Sequence, residues 1–431
     1  LQPSKELLQQ NHDKITSYGI PATIYSASCG KKELSNMIYA TLGSIKKVVD
    51  KLKEMGIRNV LIDEAHAGYS PEDGSEFMTF MNELKPKKVI GFTATPCRLK
   101  TMSIGQVSYS QLNFITRMRP VYFRNLIHVI QVEEMIRQGF WTPLKYETWD
   151  FNGDALKLNS NGSEYTAESI SEAVRKNGLN NLILRRLMVL KDVCRSILVF
   201  MDSVESCNTA AEWMNAKICA GMAEVVHGGT PKKQREAIVE RFKSGGTRVV
   251  FNYSALGTGF DHPGLDCVIV GRPTFSFSSF YQWLGRAVRI KDGKDSALVV
   301  DCCNNSSRFG DIRKLSIENY KGYGWGMFIG DKLITNIPMG DKVTKTDLDI
   351  KAAKKDRRRG LAQGVTAAPV PGRPDHPLGS TVMTFGKYCG WMLHSIPVSY
   401  FKFINETFDW DNDRNKDIKE YIDFLIKNNR L

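Results

Sequence analysis

Short apolar runs that stop abruptly at polar loop residues recur along this chain, and they constrain its fold more than any other feature. Such runs occupy residues 58–62, 88–92, 196–201, 248–252, 267–270 and 297–301, with two more at 22–26 and 223–227. Helical patterns alternate with them at 5–18, 45–55, 204–216 and 231–243. Strand and helix in regular alternation predict an α/β fold with parallel sheets and helices on both faces.

The rhythm appears twice and is interrupted once. Residues 1–125 form a first block and 181–320 a second, with no close sequence repeat between them. Residues 126–180 read as a connector: a helix at 132–138, an extended run at 141–148, then a stretch rich in Asn, Gly and Ser. Residues 321–380 read as a polar, Pro- and Gly-rich linker, and 381–431 as a small module ending in an amphipathic helix at 416–428. A length of 431 residues suits two or three such domains.

The formal net charge is +13, which points to a polyanionic partner; a generically basic protein is the plainer alternative. The nine cysteines are scattered without a C-x-x-C pair, which favours free thiols and disfavours a structural zinc site. No apolar run is long enough to span a bilayer and no basic-then-apolar leader opens the chain, so a cytoplasmic location is expected. The chain opens on Leu1 without an initiator Met, and Leu1 reads as the last residue of a strand. The expectation is that the natural beginning is missing.

Chemistry concentrates where the apolar runs end. Val60-Leu-Ile-Asp63-Glu64-Ala65-His66 places two carboxylates and a histidine directly after a strand. One carboxylate can serve Mg²⁺ on a nucleotide, and its neighbour can orient or deprotonate a water. An Asp-Glu pair there can equally cap a helix. Thr93-Ala-Thr95 follows the next strand, and its hydroxyls can reach the histidine. In the second block, Gly257-Thr258-Gly259-Phe260-Asp261 allows close backbone approach to a phosphate or ribose. If helical, Gln282, Arg286 and Arg289 share one face at i, i+4 and i+7, and the two guanidiniums form a fork for a phosphate. A surface helix bearing arginines is the bland alternative.

Taken in order, these segments resemble the motifs of superfamily 2 helicases and translocases over roughly residues 1–310. Asp63-Glu64-Ala65-His66 resembles the DEAH motif II, and Thr93–Thr95 motif III. Gly257–Asp261 is similar to motif V, and Gln282–Arg289 to the Q-x-x-G-R-x-x-R motif VI. The first residues, Thr41-Leu-Gly-Ser44 and His227-Gly228-Gly229 resemble motifs on the nucleic-acid side. Ile136-Arg-Gln-Gly-Phe-Trp-Thr-Pro143 is similar to the RadD-type and phage-encoded DNA helicases near the restriction-enzyme motors.

The resemblance implies tandem RecA-like domains that hydrolyse ATP with Mg²⁺. It assigns Asp63 and Glu64 to the Mg²⁺, with Glu64 also the base for water. His66 would couple hydrolysis to movement, Gln282 would sense the γ-phosphate, and Arg286 and Arg289 would act as arginine fingers. Gly257, Gly259 and Asp261 would border the nucleotide. Ser4, Lys5, Thr41, Ser44, Thr95, His227, Gly228 and Thr258 would lie toward nucleic acid. The implied function is a monomeric DNA helicase or translocase acting on forked, branched or duplex DNA through its phosphates, with RNA left open. The alternatives are the motor subunit of a restriction-type complex and a non-hydrolysing nucleic-acid-binding protein.

One departure stands out: the sequence contains no G-x-x-x-x-G-K-[ST] phosphate loop. The expectation is a chain that hydrolyses ATP poorly alone. Two segments carry further candidates. The run Lys351-Ala-Ala-Lys-Lys-Asp-Arg-Arg-Arg359 is either a solvated linker or a phosphate-contacting arm, and Lys387 and Tyr388, flanked by Gly386 and Gly390, offer either a stacking contact or a structural turn.

Overall fold

The computed structural model describes residues 1–352 except 68, 70, 105, 106, 161, 257–259 and 340, and residues 377–428 except 385–387, 389, 397, 408, 409 and 411–414. It separates into two compact units, one of residues 1–320 with 324–343 and one of 321–323 with 344–431.

The first block contains helices α1 (Lys5–Ser17), α2 (Leu42–Ile45), α3 (Val49–Glu54) and α4 (Glu76–Leu84). Its strands are β1 (Thr23–Ser26), β2 (Lys31–Lys32), β3 (Ile38–Ala40), β4 (Asn59–Ile62) and β5 (Lys88–Gly91), followed by the hairpin β6 (Cys97–Ile104) and β7 (Val107–Phe114). β1 pairs in parallel with β3, and β4 in parallel with β5. The first two residues join these pairs. The Gln2 amide donates to the Ala40 carbonyl at 2.9 Å, the Asp63 amide donates to the Leu1 carbonyl at 3.0 Å, and the Leu1 amino group donates to Leu61.

The single helix expected over 45–55 is broken by a 3₁₀ turn, Lys46–Val48. Val48 sits at φ −130°, outside helical space, before a second β-branched residue, Val49. Such neighbours favour a helix poorly.

The second block is one six-stranded sheet in which all the neighbouring strands run parallel. Its strands are β8 (Leu144–Thr148), β9 (Ile197–Phe200), β10 (Ala223–His227), β11 (Val249–Tyr253), β12 (Cys267–Val270) and β13 (Ala297–Asp301), in the order β10-β11-β9-β12-β13-β8. Helices α5 (Val132–Arg137), α6 (Ala167–Lys176), α7 (Leu179–Val193), α8 (Val204–Lys217), α9 (Lys232–Ser244), α10 (Phe277–Leu284) and α11 (Asn305–Phe309) complete it. Every residue of the inner strands β9 and β12 is buried, because helices cover both faces. The outer strands β8 and β10 mix buried and accessible positions. The α/β expectation therefore holds.

The segment 126–180 does more than connect. β8 lies inside it and pairs with β13 from Leu144↔Ala297 to Thr148↔Asp301, so the second sheet draws its edge from before residue 181. The expected linker also begins too early. Leu315–Tyr320 pairs antiparallel with Gly324–Ile329, and this hairpin joins the first unit apart from its turn.

In the second unit, helices Val398–Thr407 and Lys416–Lys427 enclose Met383, Leu393, Ile396, Phe401, Ile422 and Leu425. Residues 353–359 of the basic run, and Gly386 and Lys387, lie outside the described residues. Among the described residues, no helix is long and apolar enough to cross a membrane.

Candidate nucleotide and nucleic-acid site

The acid loop begins where β4 ends. Asp63 accepts from the Glu64 amide through Oδ1 at 2.9 Å and from Asn11 Nδ2 of α1 through Oδ2 at 3.1 Å. Burial raises its pKa, the neighbouring Glu64 carboxylate adds to the rise, and those two hydrogen bonds oppose it. A carboxylate short of water and beside a second one is a fitting partner for a divalent cation. Glu64 takes a left-handed backbone, φ 48°, which turns the chain sharply after the strand. Its Oε2 lies 3.2 Å from His66 Nδ1. The buried His66 ring also meets Thr93 Oγ1 at 2.8 Å, so the histidine bridges the carboxylate and the end of β5.

Backbone contact between β5 and the acid loop is just as close. A Cβ on Gly91 would lie 2.7 Å from Ala65 Cβ and 2.8 Å from Phe123 Cε1, so only glycine fits there. Beyond Thr93, Arg98 of β6 donates through Nη2 to the carbonyls of Ala65 (3.2 Å) and Tyr69 (2.7 Å), and through Nε to that of His66. Sequence reasoning missed Arg98. Its only signal was its place five residues after Thr93.

The second block supplies the cations, by a different route from the expected one. α10, capped by the Ser276 hydroxyl, ends at Leu284. The chain then tightens: Arg286 N bonds to Trp283 O and Ala287 N to Leu284 O, which are three-residue turns. Gln282 is helical, but Arg286 and Arg289 are not, so the shared helical face does not exist. The turn brings the arginines to Asp261 instead. Arg289 Nε lies 3.3 Å from Asp261 Oδ1, and Arg286 Nη1 donates to the Phe260 carbonyl at 2.6 Å. Burial and the neighbouring Arg289 lower the Arg286 pKa to about 10, while Asp261 and Glu64 favour its charge. Asp261, expected to meet a ribose, is paired with Arg289. Gly257, Thr258 and Gly259 lie outside the described residues.

The residues expected toward nucleic acid separate into two groups. Ser4 caps α1, accepting from the Leu7 amide at 3.3 Å, and Lys5 begins that helix. Gly228 is exposed past the end of β10, and His227 accepts from the Gly229 amide through Nδ1 at 3.1 Å. Thr41, Ser44 and Thr95 turn inward. Ser44 is buried and accepts from the Ala27 amide (2.9 Å) and the Thr41 hydroxyl (3.1 Å). Thr41 also meets Ser26 Oγ at 3.1 Å. Thr95 is 1% exposed, with a hydroxyl that has no hydrogen-bond partner. Small hydroxyl residues satisfy backbone groups as readily as they meet ligands, which is why sequence alone placed them outside. Among the described residues, no group of three or more His, Cys, Asp or Glu could hold a metal ion.

Residues 179–291 match the helicase conserved C-terminal domain. The putative ATP-dependent helicase IRC3 of Saccharomyces cerevisiae is 25% identical over 279 residues, covering 64% of this chain and 38% of that protein. A 51.5 kDa protein of a Lactococcus phage is 23% identical over 298 residues, covering 69% of this chain and 57% of that protein. A solved fragment of a putative HsdR subunit of a type I restriction enzyme from Vibrio vulnificus aligns with a TM-score of 0.49 and 19% identity, over 69% of this chain and 53% of that one. The chain thus spans about 38–57% of these two curated relatives. Strands β9 to β12 of the second sheet thus lie within a match to the helicase conserved C-terminal domain, and the chain is similar in sequence to ATP-dependent helicases.

Proposed function

We propose that this chain is the working core of an ATP-driven, Mg²⁺-dependent motor on DNA, acting as a monomer on forked or branched DNA in the cytoplasm of a bacterial cell or a phage-infected host. The observation that carries the proposal is the acid loop after β4, where Asp63, without an ion pair to any described Lys or Arg, stands beside Glu64, and Glu64 Oε2 lies 3.2 Å from a His66 ring that also meets Thr93 Oγ1 at 2.8 Å.

Bound ATP with Mg²⁺ would supply the phosphoanhydride bond and the charge that its cleavage develops. Asp63 would serve the metal. Glu64 would take the proton of the attacking water, with His66 fixing its carboxylate against Thr93. Arg286 and Arg289 would meet charge building on the departing phosphate. Asp261 would release Arg289 for that purpose. The basic excess, with Lys5, His227 and Gly228 near strand and helix ends, supports contact with a phosphate backbone.

Phosphate release in the presence of single-stranded, duplex, forked and four-way-junction DNA and of RNA tests the substrate. Glu64→Gln should abolish turnover while sparing ATP binding. Surviving turnover would remove Glu64 as the base. Because the sequence contains no phosphate loop, the assay belongs on this chain and on one extended to carry such a loop. Equal, robust turnover by both would overturn the expectation that this chain is impaired alone.

A further inference from the structure

We propose that Arg98 is a positioning residue that fixes the acid loop in its hydrolytic geometry; the inference rests on hydrolysis at Glu64. Three carbonyls of one loop, those of Ala65, His66 and Tyr69, converge on a single guanidinium. Converging carbonyl dipoles repel one another, and a cation at their focus offsets that repulsion. The planar fork of an arginine offers donors in fixed directions, whereas a lysine offers them from one point. Burial lowers the Arg98 pKa, so its charge is held with little help from water.

The grip is two-handed. Residues 93 to 98 hold His66 by its ring, through the Thr93 hydroxyl, and by its carbonyl, through Arg98. Glu64, next to the ring, is thereby restrained through the histidine.

Arg98 is itself anchored. It opens the β6–β7 hairpin, whose register runs from Cys97↔Phe114 inward. The far strand is fixed by Asn336, whose side-chain oxygen accepts from the Phe114 amide at 3.0 Å and whose amide donates to Leu112 at 2.7 Å. Ser110 Oγ adds a bond to the Gly162 carbonyl at 2.6 Å. A Cβ on Gly162 would lie 2.6 Å from Thr101 Oγ1 and 2.9 Å from Ser110 Oγ, so the hairpin approaches that backbone closely. Two residues on, Glu164 accepts from the Phe275 amide at 2.7 Å, just before α10 and Gln282. The loop is therefore pinned to a scaffold that reaches the other half of the site.

The test uses the full chain with Arg98→Ala and Arg98→Lys, reading amide exchange of residues 63–69 and ATP turnover in the same preparations. Arg98→Ala should speed exchange in that loop about tenfold or more while the amides of β9 and β12 stay protected. The kcat should fall about 100-fold, with KM for ATP changed by less than about threefold, because positioning and not binding is lost. Arg98→Lys, which keeps the charge, should recover part of both. Unchanged loop exchange in Arg98→Ala, or wild-type kcat in Arg98→Lys, overturns the proposal. If Arg98→Ala loosens the whole protein, the lysine variant decides by the same two readings. Faster loop exchange in a protein whose wild type never hydrolyses ATP, even when extended to carry a phosphate loop, would leave Arg98 as the loop's anchor and refute the motor reading instead.

Discussion

Replacing Arg286 with methionine asks whether the second block holds a functional cation at the expense of its own stability. The side chain is half-buried and its guanidinium donates to the Phe260 carbonyl at 2.6 Å. Its pKa falls to about 10, mainly through burial. For a base, a pKa lowered by folding means that the charged form is penalised in the folded protein at every pH below that value. The drop from an ordinary guanidinium corresponds to a penalty on the order of 3 kcal/mol. Removing the guanidinium relieves that penalty but leaves the Phe260 carbonyl without its donor, at a cost of about 1–3 kcal/mol. The two nearly cancel, so urea unfolding of Arg286→Met at pH 7 should fall within about 2 kcal/mol of wild type. Turnover should not survive so lightly: an arginine that meets transition-state phosphate charge is worth about 10³-fold or more in kcat. Phosphate release at saturating ATP and Mg²⁺, beside the urea titration, reads both. A variant that keeps its turnover while losing more than about 3 kcal/mol of stability would make Arg286 a structural residue and refute the reasoning.

Buried contacts carry two more predictions. His262 is buried, bonds to Ser196 Oγ at 2.9 Å, and has its pKa lowered to about 4 by burial and by Lys243, Lys291 and Lys294. The unfolded chain then binds the extra proton first as pH falls, so His262 should contribute a loss of up to about 3 kcal/mol between pH 6.5 and 4; His262→Gln should flatten that part of a urea-midpoint profile, and an unchanged slope would dismiss the assignment. Gly91→Ala should cost about 1–3 kcal/mol, because its new Cβ meets Ala65 and Phe123. Thermal unfolding measures that cost, and since Ala65 belongs to the acid loop, turnover should fall as well.

The inner strands were legible because a short, continuous apolar run that stops at an acidic or polar residue suits a strand buried on both faces and little else. β8 reads as an extended run, but its place in the second sheet was not legible, since its partner, β13, lies far along the chain. In the site, the acid pair and histidine were readable because their chemistry is local. The two arginines do lie near each other, but not for the reason their spacing suggests: an i, i+4, i+7 pattern assumes a helix, and the chain turns at Gly285. Thr95 and Ser44 were misplaced because a hydroxyl's partner cannot be read from its residue type. Arg98 was invisible, because its partners are backbone carbonyls, which every residue carries.

The pairing of β8 with β13 also bears on how the chain is made. Residues 144–148 leave the ribosome well before 297–301, and about 150 residues of synthesis, at about 5–20 residues per second, separate them by roughly eight to thirty seconds. During that interval the edge of the second sheet cannot close, and β8 must stay unpaired. A nascent chain stalled just short of residue 297 should therefore be far more sensitive to protease within 126–180 than one stalled well past 301, which makes the vulnerable moment of this protein's life a matter of timing.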